Sequence, residues 1–270
     1  MRLPHSIHNP ADWATPESSE LPPSEPVARG GLSRVLLRLA MAGLVVVAIL
    51  GIGAHVWLGR LPSVANLPAR VRQTLAKHHA PYTPYATMPS RLVQAIVSTE
   101  DKRFWYDPGL DPIAIVRAMF DDLRAGSLIE GGSTITEQLA KNVYVGSDHS
   151  LRLKLESMGL ALVIASRYSK REVLTLYLNR VYLGHGAYGV GAASTIYFHE
   201  PVSRLDLSEC ALLAGLPQAP SAYDPLVHPR AAERRQTEVL NLMLAHGFIT
   251  TAQARHAERT LAQEIANKTL

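Results

Sequence analysis

The sequence predicts a mainly α-helical domain behind one N-terminal transmembrane helix. Three observations carry this. Apolar residues recur at helical spacing, and alternating apolar runs are nearly absent. Helix-start signals, a Ser or Asp before an apolar periodic run, recur along the chain. The run LAMAGLVVVAILGIGAHVWLG, Leu39 to Gly59, holds no acidic or basic side chain except His55.

Taken in order, residues 1–34 are proline-rich and poor in apolar residues, and read as a disordered tail. Residues 35–59 read as the transmembrane helix. At about 1.5 Å per residue the apolar run crosses a hydrocarbon core of about 30 Å, and it is too long for a secretory signal. Arg29, Arg34 and Arg38 precede the span and Arg60, Arg70, Arg72 and Lys77 follow it, so flanking charge leaves its orientation open. Residues 60–85, broken by prolines, read as a juxtamembrane linker, and 86–270 as the functional domain.

Within that domain Pro89–Ser90 starts a helix that runs through Leu92, Val93 and Ile96 to Glu100. Asp111–Pro112 is an N-cap followed by proline at N1, with Gly126 closing that helix. Ser133 is expected to cap TITEQLAKNVY, Ser150 to cap LRLKLESMGLALVIASRY, and Ser169 to cap KREVLTLYLNRVYLG, with Glu172 completing a capping box. Ser208 is expected to cap ECALLAGL, and Arg230 to His246 forms an amphipathic helix that ends at Gly247.

Composition narrows the function only partly. The 270 residues are 47% hydrophobic, enough for a sizeable core, and carry a net charge of +4. That balance fits anionic headgroups, pyrophosphates or nucleic acid and selects none of them. Cys210 is the one cysteine, so no internal disulfide forms, and its apolar setting marks a buried thiol. Cys and His spacings typical of metal sites are absent.

Four segments carry chemistry. In VSTEDKRFWYDPGLD, adjacent Glu100 and Asp101 end an apolar run beside an aromatic patch, a setting for a general base held against an apolar wall. In GGSTITEQLAKN, two glycines precede a helix start whose free N–H groups suit an anion. Thr134, Gln138 and Lys141 fall at i, i+4 and i+7 and share a face suited to phosphate or sugar. Alone, that segment reads first as an ordinary amphipathic helix. In RLKLE, Arg152 and Glu156 share a face, Lys154 points elsewhere, and Leu151, Leu155, Met158 and Leu162 form the expected buried stripe. The glycine-rich stretch around Gly184, Gly186, Gly189 and Gly191 follows no strand and is not a dinucleotide fingerprint, and His185 reads as a turn residue.

Together, in this order, these segments resemble glycosyltransferase family 51, the transglycosylase domain of class A penicillin-binding proteins and of monofunctional biosynthetic peptidoglycan transglycosylases. ALLAGLPQAPSAYDP and RRQTEVL extend the likeness, which covers roughly residues 85–250. Ser-x-x-Lys and Lys-Thr-Gly motifs of a transpeptidase are absent, so the resemblance is to the monofunctional members. It implies a lysozyme-like helical domain with a small membrane-proximal jaw, acting on lipid II at the outer face of the cytoplasmic membrane with the tail inside. It implies Glu100 and Glu156 as catalytic residues, with Asp101, Arg117, Ser133, Thr134, Gln138, Lys141, Asn142, Arg152 and Lys154 contacting substrate. It implies lipid II, the growing glycan strand, the membrane and other cell-wall synthesis proteins as partners. It implies neither an organic cofactor nor nucleic acid, and leaves a divalent Mg or Mn ion open. A muramidase-like hydrolase and a catalytically weak cell-wall scaffold are the competing readings. The chain departs from the family pattern in three places. Asp107 stands where the family usually has His. Glu137 stands where it has Gln. Arg152-Leu-Lys154-Leu-Glu156 replaces Arg-Lys-x-x-Glu.

Overall fold

The computed structural model describes residues 29–111, 132–146 and 150–267. The expected helix after Asp111 and the predicted site residue Arg117 lie outside them. Two compact units divide the chain at Gly53. Helix α1, Arg29–Gly59, begins in the first. Its stretch Arg34–Gly59 is long and apolar enough to cross a membrane, and leucines and valines from Val35 to Ile52 are exposed around it.

The second unit, Ala54–Leu270, is helical, and the expected fold class holds among its described residues. The helices are α2 Leu67–Lys77, α3 Ser90–Glu100, α4 Ile135–Ala140, α5 Leu151–Arg167, α6 Lys170–Leu178, α7 Gly189–Phe198, α8 Leu207–Gly215, α9 Pro229–Ala245 and α10 Thr251–Asn267. Helix α3 packs on α8 and α9, α10 packs on the same pair, and α4 packs on α5 and α6. The seam between α3 and α4 is where the site forms.

Several local expectations are corrected. The stretch 60–85 is not a plain linker: α2 sits in it and buries Leu67, Val71 and Leu75, spaced at i, i+4 and i+8, in the main core. Pro68 falls in its first turn, where a missing N–H is harmless. Thr134, not Ser133, caps α4, through its hydroxyl to the Glu137 amide. Asp206, not Ser208, caps α8, and it forms a capping box with Glu209. Ser208 is buried, donating to the Ala257 carbonyl and accepting from Gln236. The caps at Ser150 and Ser169, the latter with Glu172, are as expected. Helix α6 stops at Leu178, well before Gly184.

The apolar stripe of α5 is also misassigned by its spacing. Leu151, Leu155 and Leu162 are 65%, 49% and 39% exposed and Met158 is partly exposed. The buried face is instead Ser157, Leu160, Ala161 and Ile164. Backbone or a ring approaches that face closely at its small residues. Gly109, at φ +106, lies where an added Cβ would come within 2.7 Å of Ala165 Cβ and 2.9 Å of the Ala161 carbonyl oxygen. Likewise Gly159 admits the Trp57 ring from the last turn of α1.

Candidate active site

Helix α3 delivers Glu100 as its last residue, because Asp101 leaves the helical region at φ −160 and ψ 82. A cleft of about 280 Å³ opens there, lined by Ser98 to Lys102, Asp111, Gly132 to Thr134, and Leu242 and His246 at the end of α9. Of the sequence-predicted residues, Glu100, Asp101, Ser133 and Thr134 line it. Gln138 reaches it by donating from Nε2 to Glu100 Oε2 at 2.7 Å. The buried Tyr177 hydroxyl donates to Gln138 Oε1 at 3.0 Å and so fixes the amide. Burial pushes the Glu100 carboxyl above its usual range, and the Gln138 bond and the Arg235 guanidinium partly oppose this. Arg235 is held by the Gly215 carbonyl at 3.1 Å and Glu238 at 2.7 Å.

Tyr177, Arg235, Leu242 and His246 were not singled out in the sequence. Tyr177 lies in an apolar run and looks like core, and Arg235 is 135 positions from Glu100. Only folding brings them to the carboxylate.

The start of α4 differs from expectation. Two of its backbone donors are taken: Ile135 N–H bonds Asp101 Oδ2 at 3.1 Å, and Glu137 N–H bonds Thr134 Oγ1 at 3.1 Å. Among the described residues, Lys154 brings a cation to this loop. Its Nζ donates to Ser133 Oγ at 2.8 Å and pairs with Glu137 Oε1 at 2.6 Å. Glu137, buried and also bonded by Ser157 Oγ at 3.3 Å, is therefore the seat of Lys154. That accounts for the acid at a position where the family pattern has an amide. The shared face of Arg152 and Glu156 points elsewhere: Arg152 is exposed, Glu156 is partly exposed, and neither lines the cleft. Lys141 and Asn142 also fall outside the lining. The helix changes to a π turn at Lys141–Val145. Arg180 donates to the Asn142 carbonyl and secures that turn.

Asp107 is a buried anchor of the loop after Glu100. Its Oδ1 accepts from Gly109 N–H at 2.6 Å and pairs with Lys170 Nζ at 2.9 Å. Lys170 also sits 4.6 Å from the Phe104 ring centroid. Thr134 Oγ1 donates to the Gly109 carbonyl at 2.7 Å, and Arg103 pairs with Asp111 at 3.0 Å. His185 stands at φ +46 with Nδ1 3.2 Å from Asp224 Oδ2, a turn residue as read. Cys210 is buried. Among the described residues no group of three or more His, Cys, Asp or Glu side chains is placed to hold a metal ion.

Burial, then the nearby Asp107 charge, raise the Asp101 pKa from 3.8 to about 7, against the Ile135 bond and Lys170. The folded state thus keeps this proton up to about pH 7, whereas the unfolded chain releases it near 3.8. The stabilisation is complete below the lower value and is lost as pH rises through the upper one. Asp101→Asn should therefore gain stability relative to wild type between pH 4 and 7 and level off above. Urea unfolding of both proteins at pH 5 and 8 checks this; parallel pH profiles would contradict it.

Comparison with known proteins gives one family and consistent relatives. The family described as Transglycosylase matches residues 68–244. Penicillin-binding protein 1A of Aquifex aeolicus is 43% identical over 194 residues, covering 72% of this chain and 27% of its own. Penicillin-binding protein 1F of Bacillus subtilis is 40% identical over 179 residues, covering 66% and 25%. Putative transglycosylase H16_A0665 of Cupriavidus necator is 39% identical over 214 residues, covering 79% and 92%. The chain thus spans about a quarter of the penicillin-binding proteins and most of the putative transglycosylase.

Proposed function

The chain belongs to the transglycosylase family, and from that premise we propose that it is a peptidoglycan glycosyltransferase. It polymerises lipid II into β-1,4-linked glycan and releases undecaprenyl pyrophosphate. The observation that carries this is a buried carboxylate lining a cleft whose rim residue Ser133 is bonded by an ammonium: Glu100 lines the cleft and meets Gln138, and Lys154, itself outside the lining, bonds Ser133.

Glu100 takes the proton of the acceptor 4-hydroxyl as that oxygen attacks the anomeric carbon of the strand. The bond from that carbon to the pyrophosphate oxygen breaks with its electron pair, and the configuration inverts. Burial makes Glu100 a stronger base, while Gln138 and Arg235 favour its ionised form. Lys154 faces the charge that builds on the departing pyrophosphate, and its anchoring by Glu137 and Ser133 pre-positions it. The apolar α1 is the membrane anchor, with the tail in the cytoplasm and the domain on the outer face, where lipid II is presented. The exposed leucines of α5 and the Trp57 seat at Gly159 support a membrane-lying face.

Incubating the full chain with labelled lipid II tests the reading: polymer supports it, and cleaved glycan or no product overturns it. Within it, Lys154→Ala is expected to lower kcat about 100-fold, the usual scale for a lost transition-state charge contact. Arg152→Ala should change it by less than about threefold, since an exposed side chain without a site contact contributes little. Equal losses in a polymerisation assay would contradict the placement of Lys154.

A further inference from the structure

The Gln138 amide that meets Glu100 is itself held from behind. Its Oε1 accepts the Tyr177 hydroxyl at 3.0 Å while its Nε2 donates to Glu100 Oε2 at 2.7 Å. We propose that Tyr177 is a positioning residue for the general base: through Gln138 it decides which end of the amide faces Glu100, and so leaves Glu100 Oε1 as the oxygen that takes the acceptor proton. The proposal rests on the glycosyltransferase reading and adds to it a residue that lies behind the cleft lining.

Three helices build this relay. Glu100 ends α3, Gln138 lies on α4, and Tyr177 is the last residue but one of α6, which packs on α4. A glutamine amide has two ends of opposite hydrogen-bonding sense, and a half-turn exchanges them with almost no change of shape. Tyr177 makes that choice. It is 0% exposed, and among the described residues its hydroxyl makes no other hydrogen bond. With Oε1 turned away, the O–H proton would be buried without an acceptor, which is costly. Burial also holds the phenol far above its usual range, so the proton stays in place as a donor. Oε1 is therefore kept towards the tyrosine and Nε2 towards the carboxylate.

The base feels the difference. An N–H on Oε2 favours the ionised carboxylate, whereas a carbonyl there would accept the carboxyl proton and favour the neutral acid. The same bond occupies Oε2 and leaves Oε1 for the substrate hydroxyl. Other ionisable groups surround Glu100. Asp101, Lys102 and Asp111 line its cleft, and α9 brings His246 and Arg235 with its partner Glu238. From α4 comes Glu137, paired with Lys154. From α8 come Glu209 and Cys210, the latter near Arg91 at the start of α3. Among the described residues none of these bonds the Gln138 side chain, so none of them sets its orientation.

The test is the pH dependence of kcat for lipid II polymerisation by the full chain in detergent. Tyr177→Phe keeps the ring and frees the amide to turn. The base works ionised, so a raised Glu100 pKa moves the acid limb of the profile to higher pH. That limb should move up by about one pH unit, which lowers activity along it about tenfold, with KM unchanged. Gln138→Met removes both ends of the amide, and its limb should move up by less, since no carbonyl then faces the carboxyl. In the Gln138→Met background, Tyr177→Phe should move the limb no further. That double variant leaves neither polar group unpaired, so it keeps the test open if Tyr177→Phe alone does not fold. An unmoved limb in Tyr177→Phe, a larger movement in Gln138→Met, or a further movement in the double variant would overturn the proposal. Carbon-13 NMR titration of the Glu100 carboxyl, assigned with Glu100→Gln, reads the same shift without turnover. Lack of polymer from wild type would therefore overturn the functional reading, and the titration decides the role of Tyr177 by itself.

Discussion

Glu100→Gln is expected to reduce lipid II polymerisation by about 100- to 10,000-fold, the range for loss of a general base, while the protein stays folded. Gln fits the same volume and can still meet the Gln138 amide, so the packing around α3 survives. The stability change has a sign. The carboxyl of Glu100 is raised by burial, so its favourable contribution is present at acid pH and declines as pH rises through the folded-state value. A neutral amide has no such decline. The variant should therefore match or exceed wild-type stability at pH 8, with thermal unfolding and glycan synthesis measured on the same preparation. Near-normal glycan synthesis by the folded variant would remove Glu100 from the mechanism.

Lys170→Met is expected to give the largest loss of stability, about 3 kcal/mol, because removal of one partner strands a buried charge. Asp107 Oδ1 would keep the Gly109 amide but lose its cation, and Oδ2 has no hydrogen-bond partner among the described residues. The neighbouring Asp101 would also lose a charge that lowers its pKa. A domain of this size should show a fall in Tm of roughly 6–12 °C. The double variant Lys170→Met with Asp107→Asn should recover part of it, since no stranded carboxylate remains. If the single variant unfolds within a degree of wild type, the Asp107–Lys170 pair does not hold the loop after Glu100. Such a result would leave the family's usual His at that position without a structural counterpart in this chain.

Local signals in the sequence determined a good deal about this protein. The apolar length of α1, the start of α3 at Ser90, the caps at Ser150 and Ser169 and the stop at Gly247 all depend on residues within a few positions of each other. The resemblance carried by the motifs likewise pointed to the family and to Glu100. Tertiary structure decided what depends on distant partners. Spacing marked Leu151, Leu155, Met158 and Leu162 as the inner face of α5, but folding buries Ser157, Leu160, Ala161 and Ile164 instead, with Gly109 close against Ala161. Helical periodicity placed Arg152 and Glu156 together, yet not which face of α5 meets Ser133, and the structure gives that place to Lys154. Glu137 looked like a departure until Lys154 was found on it at 2.6 Å. Two of the N–H groups expected to be free at α4 are bonded by Asp101 and Thr134, a side chain from another segment and a cap one residue later than expected. The physical reason is the same in each case. Propensity, capping and amphipathic length act over one or two helical turns. Burial, ion pairing and the basicity of a carboxylate are set by whatever side chain folding places within a few ångströms, and sequence distance does not encode that.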